Sequence, residues 1–107
     1  MRIYLIGYMG SGKSTLGAKL AELLNLKWVD LDSEIETIYK INITVFFKKY
    51  GETAFRIAEN AVLQQIIKLD NVVVSTGGGT PCFNNNLDLM KSSGFTIFLD
   101  TSAQVIY

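Results

Sequence analysis

The sequence contains no histidine. That removes the side chain that most often serves as a general base near neutral pH and as a metal ligand. A single cysteine, Cys82, leaves no internal disulfide to be made and fits a reducing, cytoplasmic setting. Net charge is also absent, since ten basic residues balance ten acidic ones. Nothing electrostatic therefore calls for a nucleic-acid or membrane partner. No apolar run approaches the roughly twenty residues of a membrane span. Met1 leads so directly into the first apolar segment that no signal peptide is expected. What is present is a 107-residue chain with 49% hydrophobic and 19% charged residues, enough for one compact domain over 1–107.

The chain is organised around Gly7-Tyr8-Met9-Gly10-Ser11-Gly12-Lys13-Ser14-Thr15, which satisfies G-x-x-x-x-G-K-[ST] at every fixed position. R-I-Y-L-I at 2–6 reads as a strand entering the loop. K-S-T-L-G-A-K-L-A-E-L-L at 13–24 reads as a helix leaving it, with Asn25 as its stop. Glycines in such a loop turn backbone N–H groups inward, and with the helix N-terminus behind them they form a cradle for phosphate oxygens. Lys13 then reaches the β- and γ-phosphates of a nucleotide, and the Ser14 hydroxyl is placed to ligate Mg²⁺.

Further along, L-K-W-V-D-L at 26–31 predicts a second strand, completing a parallel βαβ unit. A helix follows over 33–40, with Ser33 as a helping cap. Thr44 is the expected cap of a short helix closed by Gly51, and a longer helix runs near 51–69 with Ala54, Ile57, Ala61, Ile66 and Leu69 on its apolar face. Asp70-Asn71 is a turn. The β-branched run 72–76 has the character of a central parallel strand, and Gly77-Gly78-Gly79 follows it. A helix within 84–93, a strand over 95–99 and a further helix over 103–107 capped by Thr101-Ser102 complete the pattern. Strands alternating with helices predict an α/β fold, a doubly wound parallel sheet between helical layers.

In such a sheet, ligands bind at the carboxyl ends of the strands, where 7–14, 30–32 and 77–79 all fall. Asp30 and Asp32, one residue apart in an extended segment, would point the same way. One then lies near Mg²⁺, and the other reaches a hydroxyl on a phosphoryl acceptor as its base. The competing reading is a solvated acidic turn. Arg56 and Glu59 share a helix face; they read either as a carboxylate clamp with its support or as a surface salt bridge. Three glycines after a buried strand suggest close backbone approach by a ligand, or else a tight turn. Phe47 and Phe55 wall a small pocket or belong to the core, and Cys82 reads as a small packed side chain without a base to activate it.

In this order and spacing, G-Y-M-G-S-G-K-S-T at 7–15, D-L-D-S-E-I-E at 30–36, F-F-K-K-Y-G-E-T-A-F-R-I-A-E at 46–59 and G-G-G at 77–79 resemble the shikimate kinase family. The resemblance implies a three-layer α/β/α fold of the P-loop, nucleoside-monophosphate-kinase type. It implies transfer of the ATP γ-phosphoryl group to the 3-hydroxyl of shikimate, in aromatic amino-acid biosynthesis. Carried over by position, Gly10, Ser11, Gly12, Lys13, Ser14 and Thr15 would hold ATP, and Ser14 and Asp30 would hold Mg²⁺, Asp30 through water. Lys13 and Asp32 would be catalytic. Asp32, Phe47, Phe55, Arg56, Glu59, Gly77, Gly78 and Gly79 would form the shikimate site.

Two departures accompany the resemblance. The family carries a glycine near position 40, where this chain reads Lys40-Ile41-Asn42. The family's mobile lid with its arginine, second carboxylate-binding arginine, adenine loop, fifth strand and last helix are not in this sequence. The expectation is a domain incomplete at its C-terminus, drawn from a monomeric parent, turning over slowly and self-associating through an uncovered sheet edge. Other readings are a kinase for a different small acidic or polyol acceptor, such as gluconate or a nucleoside monophosphate, or a non-catalytic nucleotide-binding module.

Overall fold

In the computed structural model, residues 1–7 and 13–99 and the pair 105–106 are described; for Ser14 and that last pair this extends to the backbone alone. The elements run β1 (Arg2–Gly7), α1 (Lys13–Leu24), β2 (Lys27–Asp30), α2 (Leu31–Tyr39), α3 (Ile43–Ile66), β3 (Val72–Ser75), a 3-10 turn (Thr80–Cys82), α4 (Asn86–Ser93), β4 (Phe95–Leu99) and β5 (Val105–Ile106). The sheet order is β2-β3-β1-β4-β5. The first four strands are parallel.

Alternation along the central strands divides the core between two helical layers. Ile3 and Leu5 of β1 and Val73 of β3 pack with Ala21 of α1. Tyr4 and Ile6 of β1 and Val72 and Val74 of β3 pack with Ile35, Phe46, Phe55, Val62, Leu63 and Met90 from α2, α3 and α4. Because both faces of β1 and β3 are covered, the strands read as unbroken apolar runs. The close fit of α1 to the sheet depends on Gly17. A Cβ there would lie 2.2 Å from Ser75 Oγ and 2.7 Å from Trp28 Nε1.

Helix α3 is two helices joined at Gly51, whose φ of 85° and ψ of 171° only glycine adopts without strain. The first half is capped by Asn42, not by Thr44. The Asn42 side chain accepts from the Thr44 N–H, because the cap must be extended and the following residue already helical. The buried face of the second half also differs from the expected one. Phe55, Ala58, Glu59, Val62, Leu63 and Ile66 are inside, whereas Ile57 and Leu69 are exposed. The stripe follows i, i+3, i+4, i+7 with a carboxylate in it, which is why hydropathy alone misplaced it.

Lys40 ends α2 in the left-handed region, at φ 56° and ψ 42°, with its N–H on the Glu36 carbonyl. This is the geometry that glycine usually supplies at a helix C-terminus, so the lysine keeps the turn's shape at a conformational cost. The variant Lys40→Gly is expected to gain about 0.5–1 kcal/mol in urea unfolding; equal midpoints would contradict this.

Where a helix over 103–107 was expected, Val105–Ile106 instead pairs antiparallel with β4, Phe98 opposite Ile106 and Leu99 opposite Val105. One helical turn is unstable by itself, and a β-branched pair beside an open strand edge gains ladder hydrogen bonds. The proposed caps Thr101 and Ser102 lie outside the described residues.

Candidate functional site

Strand β1 ends at Gly7 and helix α1 begins at Lys13. The Lys13 side chain is buried, and its Nζ donates to the Gly7 carbonyl at 2.7 Å. Burial lowers its pKa below the ordinary lysine value, and the Asp32 charge acts in the opposite sense. The start of α1 is tied to the sheet by a relay. Ser75 Oγ donates to the Lys13 carbonyl at 2.8 Å and accepts from Trp28 Nε1 at 3.0 Å. Of the other nucleotide-binding candidates, Gly10, Ser11 and Gly12 lie outside the described residues, as does the Ser14 hydroxyl, and Thr15 is exposed.

Asp30 and Asp32 do not share an extended segment. Helix α2 begins at Leu31, directly after β2. Asp30 is its N-cap, with extended backbone and a carboxylate accepting from the Ser33 N–H at 3.2 Å. The cap is therefore Asp30 and not Ser33. Asp32 stands in the first helical turn, so the same-side argument fails. The pair nevertheless stays at the carboxyl end of the sheet. Asp30 is opposite Ser75, and the Asp32 carboxylate lies against Gly77, where a Cβ would come within 3.1 Å of Oδ1 and 3.5 Å of Oδ2. Burial raises the Asp32 pKa above the usual carboxylate value. The neighbouring charges of Asp30, Glu59 and Glu36 add to the rise, and Lys13 opposes it.

On α3, Arg56 Nη1 donates to both oxygens of Glu59, at 3.1 and 3.2 Å, and Glu59 is fully buried. Thr80 Oγ1 donates to Glu59 Oε2 at 2.8 Å and itself accepts from the Gly77 N–H at 2.9 Å. Arg56 Nη2 lies against Gly79, 2.6 Å from where a Cβ would be. The glycine triplet is thus flanked by a carboxylate at one end and a guanidinium at the other. Among the described residues Gly51 is the one glycine at positive φ, so it is crowding, severe at 79 and tight at 77, and not backbone freedom, that disfavours side chains there. Gly78, between them, is exposed. Phe47 and Phe55 stack at 4.5 Å and stand 5.9 and 5.2 Å from the Arg56 guanidinium carbon.

A family model described as shikimate kinase matches residues 9–107. The chain belongs to the shikimate kinase family. A curated shikimate kinase from Azobacteroides pseudotrichonymphae is 51% identical over 106 residues, 98% of this chain and 62% of the relative. The solved shikimate kinase of Bacteroides thetaiotaomicron superposes with a TM-score of 0.90 at 44% identity, over 92% of this chain and 56% of that one. The shikimate kinase of Acinetobacter baumannii, solved in complex with shikimate, gives 0.89 at 40% identity over 92% and 55%. The chain therefore spans about three fifths of the length of these shikimate kinases.

Sequence reasoning missed three contributors to this cluster. Thr80 is the hydroxyl bridge between Glu59 and the Gly77 N–H. Asn86, fully buried, donates to the Thr80 carbonyl at 2.9 Å. Phe83 places its ring 4.2 Å from the Arg56 guanidinium carbon. Position after G-G-G was the only hint for Thr80, and nothing local marked the other two. Substituting Gly79→Ala drives a methyl group into Arg56 Nη2. Because that guanidinium is anchored to buried Glu59, the variant should cost roughly 1–3 kcal/mol in overpacking and weaken binding of an acidic acceptor more than binding of nucleotide. Equal loss of both in titrations would contradict the placement.

Proposed function

We propose that this chain carries the nucleotide- and acceptor-binding part of an ATP-dependent kinase that phosphorylates the 3-hydroxyl of shikimate. One observation carries the reading: the Asp32 carboxylate and the Arg56 guanidinium bear on Gly77 and Gly79, two residues apart. Two residues span at most about 7 Å, the scale of a small ring with an acid at one end and hydroxyls at the other. Family membership and the Acinetobacter baumannii relative solved with shikimate support the same acceptor over gluconate or a nucleoside monophosphate.

On this reading Arg56 holds the acceptor carboxylate, with Glu59 fixing the guanidinium and Phe47 and Phe55 walling the site. The backbone at Gly77, Gly78 and Gly79 lines it. Asp32, made a stronger base by its surroundings, accepts the hydroxyl proton as the oxygen attacks the γ-phosphorus and ADP departs. Lys13 turns from the Gly7 carbonyl to the β- and γ-phosphates, beside a cradle formed with Gly10, Ser11, Gly12, Ser14 and Thr15. The donor types suit a hard cation. A Ser14 hydroxyl and an Asp30 carboxylate, completed by phosphate and water, are the ligands Mg²⁺ takes, and it needs few from protein. Asp30 is set opposite Ser75, which bonds the Lys13 carbonyl, so it stands beside the start of α1. When bound, Mg²⁺ would offset charge on the β- and γ-phosphates. A cytoplasmic enzyme accords with the exposed free thiol of Cys82, and no described helix is long and apolar enough to cross a membrane.

The test is transfer from ATP to shikimate by the full-length protein that carries this chain, with gluconate and nucleoside monophosphates offered in parallel. Turnover of shikimate far above the others is the expected result. Preference for another acceptor, or none, would overturn it.

A further inference from the structure

We propose that Phe83 is a positioning residue for Arg56: its ring, lying over the guanidinium, fixes the plane in which the fork meets an acceptor carboxylate. The proposal rests on Arg56 being the carboxylate-binding group. Among the described residues three rings surround Arg56, and that of Phe83 is nearest, at 4.2 Å against 5.2 Å for Phe55 and 5.9 Å for Phe47.

The guanidinium needs such a restraint. Its hydrogen bonds to Glu59 all come from Nη1. Nε is buried without a hydrogen-bond partner among the described residues, the Glu52 carboxylate standing 3.8 Å away. A fork held through one nitrogen can swing about that attachment, and an aromatic face adds attraction in the missing direction.

Phe83 is itself held in place. Asn84 Nδ2 donates to the Arg56 carbonyl at 3.1 Å. Asn60, one turn beyond Arg56 on α3, donates from Nδ2 to the Asn84 carbonyl at 3.3 Å and to Asn86 Oδ1 at 2.7 Å. Asn86 closes the loop on the Thr80 carbonyl. Asn84 and Asn85 take left-handed backbone, φ 53° and 60°, a conformation asparagine tolerates better than most residues. The segment after the 3-10 turn is thus sewn to α3 around the very residue it covers.

The variants Phe83→Leu, which keeps bulk without the ring, and Phe83→Tyr, which keeps the ring, test this in the full chain. Leucine should raise the acceptor KM roughly 3- to 30-fold with kcat and the ATP KM within about twofold, and tyrosine should restore most of the loss. Acceptor KM untouched by leucine, or ATP KM rising in step, would overturn the proposal. A second readout needs no substrate. The Nε–H resonance of Arg56 should carry a ring-current displacement in the wild type and in Phe83→Tyr that shrinks in Phe83→Leu, where the more distant Phe55 and Phe47 rings remain. An unmoved resonance defeats the positioning role whatever the activity. A displaced resonance in a wild-type protein that does not use shikimate defeats the functional reading instead.

Discussion

The variant Asp32→Asn is expected to lower kcat by roughly 10²–10⁴-fold. Both KM values should stay close to wild type, since asparagine keeps a hydrogen-bonding group at the site but cannot take the proton. The same residue sets a pH dependence. Burial first, then the charges of Asp30, Glu59 and Glu36, hold the Asp32 carboxyl above its ordinary 3.8. The base form is needed for turnover, so the acid limb of kcat/KM should rise at a higher pH than for a free aspartate, and Asp32→Asn should flatten it. Stability moves the other way. A raised carboxyl pKa contributes stability that is full below 3.8 and lost as pH climbs through the folded-state value. Removing the charge should therefore make Asp32→Asn melt above the wild type at neutral pH, the gap closing as pH falls toward the ordinary aspartate value. A variant less stable at neutral pH would contradict the raised carboxyl pKa, and one with undiminished kcat would contradict the role as base.

Substituting Arg56→Ala should damage the protein in two separable ways. Glu59, fully buried, would keep the Thr80 hydroxyl but lose both contacts to Nη1. Removing one member of a buried ion pair costs on the order of 3–5 kcal/mol, to be read from urea unfolding. The acceptor would lose a charge-assisted contact of about 1.5–3 kcal/mol, roughly 10- to 100-fold in its KM. Lysine should not rescue either effect, because a point charge cannot bond Glu59 and also present a fork. The double variant Arg56→Ala with Glu59→Gln separates the two: it should recover much of the stability and none of the acceptor binding. Unfolding midpoints that match the wild type in Arg56→Ala would contradict the buried pairing.

Much of the fold was legible because local and global signals agree. The runs 2–6, 72–76 and 95–99 fall on the strands Arg2–Gly7, Val72–Ser75 and Phe95–Leu99, the glycine at 51 breaks a helix, and Asn25 and Asn71 take the left-handed backbone that ends α1 and turns into β3. What failed did so where one residue serves two purposes. Glu59 occupies a core position on α3 as the partner of Arg56, so a hydropathy search slid the apolar face onto Ile57 and Leu69, which are exposed. Asp30 both ends a strand and caps a helix, so the D-x-D spacing suggests an extended pair although Asp32 is already helical. Val105–Ile106 took its conformation from the neighbouring edge of β4 and not from its own composition. The juxtaposition of Asp32, Arg56 and the triplet followed from placing 30–32 and 77–79 at the carboxyl ends of parallel strands, with Arg56 on the helix between them. Thr80, Phe83 and Asn86 did not, because their partners on α3 lie more than twenty residues away.

The most direct measurement is a crystal structure of the full chain with shikimate and a non-hydrolysable ATP analogue. The account predicts the shikimate carboxylate on the Arg56 guanidinium, a ring hydroxyl within hydrogen-bond distance of the Asp32 carboxylate, and the glycines at 77–79 between them. Shikimate bound elsewhere, with Asp32 and Arg56 both turned from it, would contradict that account.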